Sequence, residues 1–381
     1  MKRQVCWRKM FFPIAMIIFL TLFITACTPG NGPAPPAPTT ENPGKYVYVN
    51  NNGTMNYVSA FAIGSDGTLT ELSGSPYLTG GAGGGGSYAS NDIALASSNG
   101  LLFASNGNDY SISVFSINKS DGTLTLVGSP VPSGGSMGGV GSLVVSPNED
   151  YLFVANQSSQ SISVFAVSTS GGLTSVTGSP FSIGGGADGI YINSSGNILY
   201  VADIVHQKII ALSVASDGSL SHITGSPFSY MASETLVASI ILSSSTIGLL
   251  GTTDGMLSSY SIDATTGAPT LLQLLNTGDE NNQAVKTARD GSLAILSGGE
   301  SPFISVVNVA ADGTLTNVTG SPFSTSANTL GYAAANPAGT FLYATEKTQI
   351  EGFSIDTDGV LTSLGAFPLT NANFARCLVI Y

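Results

Sequence analysis

The chain has 381 residues, of which 43% are hydrophobic and only 9% charged, with 47 glycines and a formal net charge of −12. Soluble domains average about a quarter charged residues, yet this shortage does not indicate disorder, which is poor in apolar residues and rich in charge. The acidic balance and the scatter of 11 basic residues exclude a nucleic-acid partner, because counterion release needs clustered Lys and Arg.

Lys2, Arg3, Arg8 and Lys9 form a basic start, and an apolar run follows from Met10 to Ile24, interrupted by Pro13. The run suits a signal h-region and falls short of the about 20 residues a membrane helix needs. It ends in Ile24-Thr25-Ala26-Cys27, which resembles the bacterial lipobox. Residues 1–26 are therefore expected to be a lipoprotein signal peptide, with Cys27 diacylated and holding the protein to a membrane. Residues 27–44 read as the lipidated cysteine and a tether, with six prolines after Cys27 and almost nothing that packs. Extended as polyproline II at about 3.1 Å per residue, the tether would span about 50 Å. Only Cys377 remains beyond Cys27, so a disulfide inside the folded part is excluded. The expected location is the cell envelope, at the outer membrane or cell surface.

Residues 45–381 are built from one repeat. Gly-x-Leu-Thr, usually after Asp, recurs at Gly67, Gly122, Gly171, Gly218, Gly267, Gly313 and Gly359, with spacings of 55, 49, 47, 49, 46 and 46. The third copy reads Gly-Gly-Leu-Thr and the fifth is worn to Gly-Ala-Pro-Thr. A second marker, Gly-Ser-Pro, starts at Gly74, Gly128, Gly178, Gly225 and Gly320, and the last copy carries Gly365-Ala366-Phe367-Pro368 instead. Within one period the hydrophobicity alternates in four short runs. Over residues 141–176 these are Leu143-Val144-Val145, Tyr151 to Ala155, Ile162 to Val167 and Leu173 to Val176, separated by turn residues. Alternation with period two and tight Asp-Gly turns predicts four antiparallel strands per unit.

Units of this length in this number predict an all-β, seven-bladed β-propeller. With strands lettered A to D from the channel outward, Tyr46-Val47-Tyr48-Val49 reads as a B strand and Leu378-Val379-Ile380-Tyr381 as an A strand. The C-terminal strand should complete the first blade and close the ring.

Phe153-Val154-Ala155-Asn156, Ile162-Ser163-Val164-Phe165 and the Asp-Gly-Thr-Leu-Thr segments at 66–70, 121–125 and 312–316 resemble the lactonase-type seven-bladed propellers. That group is related to 6-phosphogluconolactonase and to surface-layer repeats named for Tyr-Val-Thr-Asn, and the likeness covers residues 45–381. It implies the propeller fold and a lactone-hydrolysing ancestry. Enzyme-like members open an innermost strand with Pro-Arg-His. The corresponding openings here are Asn91-Asp92, Gly141-Ser142, Asp188-Gly189, Gly331-Tyr332 and Arg376-Cys377. None keeps the triplet, and only Arg376 retains its arginine.

Any ligand face should lie where the A strands open, together with the D-to-A and B-to-C loops. Asp92, Asp188 and Arg376 converge there, and a carboxylate beside a guanidinium could activate water and stabilise an oxyanion. Asp203 and His206 share a B-to-C loop and could meet a cation, but one histidine with no spaced partner makes no metal site. His222 falls in an outermost, polar column. The glycine run Gly80–Gly86 lacks Gly-Lys-Ser/Thr and a following helix, so it is a D-to-A loop and not a phosphate cradle. Cys377 reads as a buried thiol. No cofactor or metal is called for, and a monomer is expected.

The residues alone favour an envelope-anchored module that binds a glycan or a surface protein, because titratable groups are scarce and Pro-Arg-His is missing. The alternative is a lactonase-like hydrolase acting on a lactone.

Overall fold

The computed structural model describes residues 44–381 apart from 52, 85–91, 136–139, 231–236, 253, 280–283, 299–300, 327–330 and 373. The expected signal peptide, Cys27 and all of the expected tether but Gly44 lie outside the described residues. Among those described there is no helix. Strands assemble into seven antiparallel sheets, each ordered from an inner to an outer strand as the repeat predicts.

In the first blade Tyr46–Asn51 (strand B) pairs with Tyr57–Ile63 (strand C) on one side and with Ala375–Ile380 (strand A) on the other. The last strand of the chain thus completes the first blade. A second contact closes the same gap: the Tyr343 hydroxyl of the seventh blade donates to the Gly67 carbonyl of the first at 2.8 Å.

Alternation on strand B decides how the blades stick together. Tyr46 and Tyr48 point toward the second blade and pack with Leu102, Ala104 and Phe115, whereas Val47 and Val49 point toward the seventh and pack with Tyr343 and Ile350. Seven such clusters fill the seven gaps between neighbouring blades. The core is therefore a ring of inter-blade seams, each large buried side chain contributing roughly 1.5–3 kcal/mol.

The Asp-Gly hairpins join C to D strands on one rim and do two things. The aspartate caps its own turn: Asp66 accepts from the Thr68 amide and hydroxyl, and Asp121 does the same for Thr123. These bonds favour the charged form and hold the carboxyls of Asp66, Asp121, Asp217, Asp263 and Asp312 below the usual range. The glycine, at positive φ, lies against strand B of the preceding blade. A Cβ on Gly122 (φ 73°) would come within 2.4 Å of Tyr46, and one on Gly67 within 2.5 Å of Phe341. Hydroxyls of Tyr48 and Tyr200 donate to the carbonyls of Gly122 and Gly267 at 2.8 and 2.9 Å. The repeated motif is thus both a turn and a latch.

Gly-Ser-Pro has an equally local cause. In four blades the serine hydroxyl accepts the strand-C amide of Ala60, Val164, Ala211 or Val306 at 2.9–3.0 Å, replacing a strand partner. Strand D there splits in two, as in Leu69–Glu71 and Tyr77–Leu78. Where the marker is lost or altered, strand D runs unbroken, as Pro269–Asn276 and Leu361–Pro368. The second blade keeps Gly128-Ser129-Pro130 yet its strand D, Leu124–Pro132, is also continuous, bowed by a bulge.

Candidate active site at the channel mouth

The face bearing the D-to-A and B-to-C loops is organised by residues closing strand B. Asn51, Asn106 and Asn156 each donate to a strand-C serine, at Ser59, Ser113 and Ser163, over 2.8–2.9 Å. A D-to-A glycine covers the same side chain in the second and third blades. A Cβ on Gly81 or Gly135 would meet Asn106 at 2.5 Å or Asn156 at 2.4 Å, so only glycine fits. Gly80 supplies the preceding positive φ of 79°. The first glycines of the run are therefore fitted to a neighbouring asparagine, and Gly85 and Gly86 lie outside the described residues.

Asp203 takes the asparagine's place in the fourth blade. Buried to 1% exposure, its carboxylate accepts from the amides of Gly186, Val205 and His206 and meets His206 Nδ1 at 2.9 Å. Asp203 and His206 do come together, but the carboxylate is spent on shaping its loop. His222 is exposed on the outermost strand, opposite Leu212. No group of three His, Cys, Asp or Glu side chains among the described residues could hold a metal.

The strand-A openings form the upper ring of the channel. Register aligns Asp92, Ser142, Tyr332 and Cys377 at one level, because their neighbours Ile93, Leu143, Ala333 and Leu378 pair with equivalent strand-B positions. Asp92 is a clasp: one carboxylate oxygen accepts from the Ser142 hydroxyl at 2.7 Å and the Leu143 amide at 2.9 Å, joining the second blade to the third. Its other oxygen accepts from the Ile93 amide at 2.8 Å. Asp188 opens the fourth blade and accepts from Gln157 Nε2 of the third at 3.4 Å.

Arg376 is set by its backbone. Its carbonyl accepts from the Thr345 hydroxyl at 2.6 Å and the Tyr332 amide at 2.9 Å. A Cβ on Gly331 would fall 2.6 Å from that carbonyl, so glycine is needed for the approach.

Tyr332 marks where these groups meet. Burial pushes its phenol well above the ordinary range. Cys377, Asp188 and Asp92 push the same way, and Arg376 opposes them. Asp92, Asp188 and Arg376, singled out by position in the sequence, are thus all within electrostatic reach of one hydroxyl. Cys377 is buried and free, and burial first, then Asp92, pushes its thiol up against the opposing pull of Lys286 and Arg376, which favours the neutral form. Tyr332 escaped the sequence reading because tyrosines recur throughout the repeats; only its place at a strand-A opening distinguishes it.

The arrangement offers a carboxylate at Asp188, a guanidinium at Arg376 and a protonated phenol at Tyr332 around one opening. That set is suited to general-base attack by water on an ester carbonyl, with donors for the developing negative charge.

A family model described as "Lactonase, 7-bladed beta-propeller" matches residues 25–188. No curated protein matches the chain. Among solved structures, a candidate 6-phosphogluconolactonase of Bacteroides fragilis superposes with a TM-score of 0.72 at 18% identity, covering 91% of this chain and 100% of that one. The periplasmic gluconolactonase of Pseudomonas aeruginosa gives 0.71 at 18% identity, covering 88% and 98%. A Lactobacillus plantarum protein gives 0.70 at 17%, covering 89% and 99%. The chain is a seven-bladed β-propeller of lactonase-like build, with its match to the lactonase family model confined to residues 25–188.

Proposed function

We propose that the protein hydrolyses a lactone, an unphosphorylated sugar lactone outside the cytoplasm. The observation that carries this reading is the meeting of Asp188, Arg376 and Tyr332 at the channel mouth of a propeller that matches the lactonase family model. Asp188 removes a proton from water as the oxygen attacks the lactone carbonyl. Negative charge on the carbonyl oxygen then faces the Arg376 guanidinium. As the ring C–O bond breaks, the departing alkoxide takes the proton held by Asp188, directly or through Tyr332, which Asp188 reprotonates, leaving the open hydroxy acid and both groups as they began. A proton moves from water to the new hydroxyl, and no cofactor enters the balance. Pro-Arg-His is absent, so the chemistry rests on a different set of side chains from that of the enzyme-like relatives.

The signal features at 1–26, the lipobox at Cys27 and the tether support export and lipid anchoring, which fits an extracytoplasmic substrate. The likeness to a periplasmic gluconolactonase points the same way. A module binding a glycan or surface protein, favoured by the sequence alone, is the reading that the comparisons support less well. The deciding assay follows gluconolactone opening by the full chain, against buffer and against heat-treated protein, because aldonolactones also open spontaneously. Acceleration that falls by about 10²-fold in both Arg376→Ala and Asp188→Asn is the expected result. Rates equal to the heated protein would replace hydrolysis with binding.

A further inference from the structure

The opposite mouth of the channel, formed by the A-to-B turns, holds a cavity of about 600 Å³. One inner level of the channel is read from strand pairing. It carries Ala94, Val144, Tyr191, Ile241, Ala334 and Val379 in six blades and Lys286 in the sixth blade of the ring. Lys286 is thus the one charged residue of the seven at this level. Lys286 is exposed, lines the cavity and lies within electrostatic reach of the Cys377 thiol, with no hydrogen bond or ion pair among the described residues. The other cation at this mouth, Arg289, is already committed: its guanidinium donates to the carbonyls of Gly339, Ile355, Asp356 and Thr357 in the seventh blade. Hydroxyls of Tyr191, Ser194 and Ser243 to Ser245, the Asn336 amide and one carboxylate, Asp290 in the turn after Arg289, share the cavity wall.

Only seven basic residues follow Cys27, against 23 acidic ones. A chain so poor in cations has one in its lumen where every other blade has an apolar or aromatic side chain. Three donors on a positive charge, in an open cavity whose wall also carries hydroxyls and aliphatic side chains, match an oxyanion on a small polyhydroxylated molecule. We propose that this mouth is a second ligand site, for a small organic anion whose carboxylate or phosphate group is held by Lys286. It does not rest on the lactone reading.

The test uses the full chain at low ionic strength, titrated calorimetrically with gluconate, with inorganic phosphate and with neutral glucose as control. Gluconate or phosphate should bind and glucose should not, the binding arm telling carboxylate from phosphate recognition. Lys286→Met should weaken binding about tenfold or more, and Lys286→Arg should keep it. A measurement without a variant accompanies these: the bound anion should protect Lys286 from acetylation, read by mass spectrometry. No binding at about 10 mM of either anion, binding that survives Lys286→Met, or acetylation of Lys286 unaffected by the anion would each overturn the proposal.

Discussion

The hairpin rim and the channel mouth are built from the same seven repeats, yet they differ in how the repeats are used. On the rim, each glycine of the Asp-Gly series occupies the same place against the preceding blade, from Gly67 on Phe341 to Gly359 on Leu293. At the mouth, equivalent strand-A positions hold Asp92, Ser142, Tyr332 and Cys377, four different residues, of which only Asp92 and Ser142 bond to each other. Repetition marks what every blade needs in order to adhere to its neighbour. Departure from the repeat marks where a single side chain acts for the whole ring. By that criterion Lys286 belongs with the mouth residues, and Asp92, though placed among them, behaves as a clasp.

The most drastic way to break the comparison removes closure itself. Deleting 375–381 takes out strand A of the first blade, with Cys377 and Leu378 in seams on either side. The expected loss exceeds about 4 kcal/mol in urea titration, beyond ordinary single-site effects. A truncated chain that melts with the parent would show that the ring does not depend on this strand.

The latch function is sharpened by two glycines of the second blade. Gly122 and Gly128 have φ of 73° and 66°, but a Cβ meets Tyr46 at the first and nothing within 4 Å at the second. Gly122→Ala should therefore cost about 1–3 kcal/mol more than Gly128→Ala, the overpacking contribution alone. Equal losses would reduce the motif to a turn. Tyr48→Phe, which strands the buried Gly122 carbonyl, should cost about 1–2 kcal/mol by the same measurement.

Clasp and catalyst separate at the mouth. Asp92→Ala removes the acceptor for Ser142 and Leu143 and should cost about 1–3 kcal/mol. Arg376→Ala should change stability by no more than about 0.5 kcal/mol while suppressing lactone opening. The reverse pattern would exchange their roles.

The smallest effect concerns acid. Asp312 on the rim has a depressed folded-state pKa because the Thr314 amide and hydroxyl bind its carboxylate. A depressed value contributes stability above the unfolded carboxylate pKa of about 3.9, lost as pH falls through the folded value. Asp312→Asn keeps an accepting oxygen, so it should match the parent at pH 7 and unfold with a slightly weaker acid dependence below about pH 4. An unchanged acid profile would mean the exposed turns do not contribute to it.

The blade count, the strand order and the ring closure were legible from residues alone because their causes are local and repeated. Period-two alternation buries one face toward each neighbour, Asp-Gly dictates the hairpin, and strand B at the start complements strand A at the end. The column containing Glu71, Leu126, Ser175, His222, Asn317 and Ser363 could likewise be aligned by counting, and pairing opposite Phe61, Phe115, Phe165, Leu212, Val307 and Phe353 bears it out. Asp92, Asp188 and Arg376 could be nominated because they interrupt the repeat at strand openings. What each does depended on groups distant in sequence: Ser142 and Leu143 of the next blade for Asp92, Tyr332 and Thr345 of the seventh blade for Arg376, and Gly186 at the opening of its own blade for Asp203. Lys286 gave no signal in its own segment, since an alternating strand tolerates a lysine on a solvent face. Only closing seven blades around one axis turns that face into a lumen, where the equivalent positions of the other blades are uncharged and the lysine stands out.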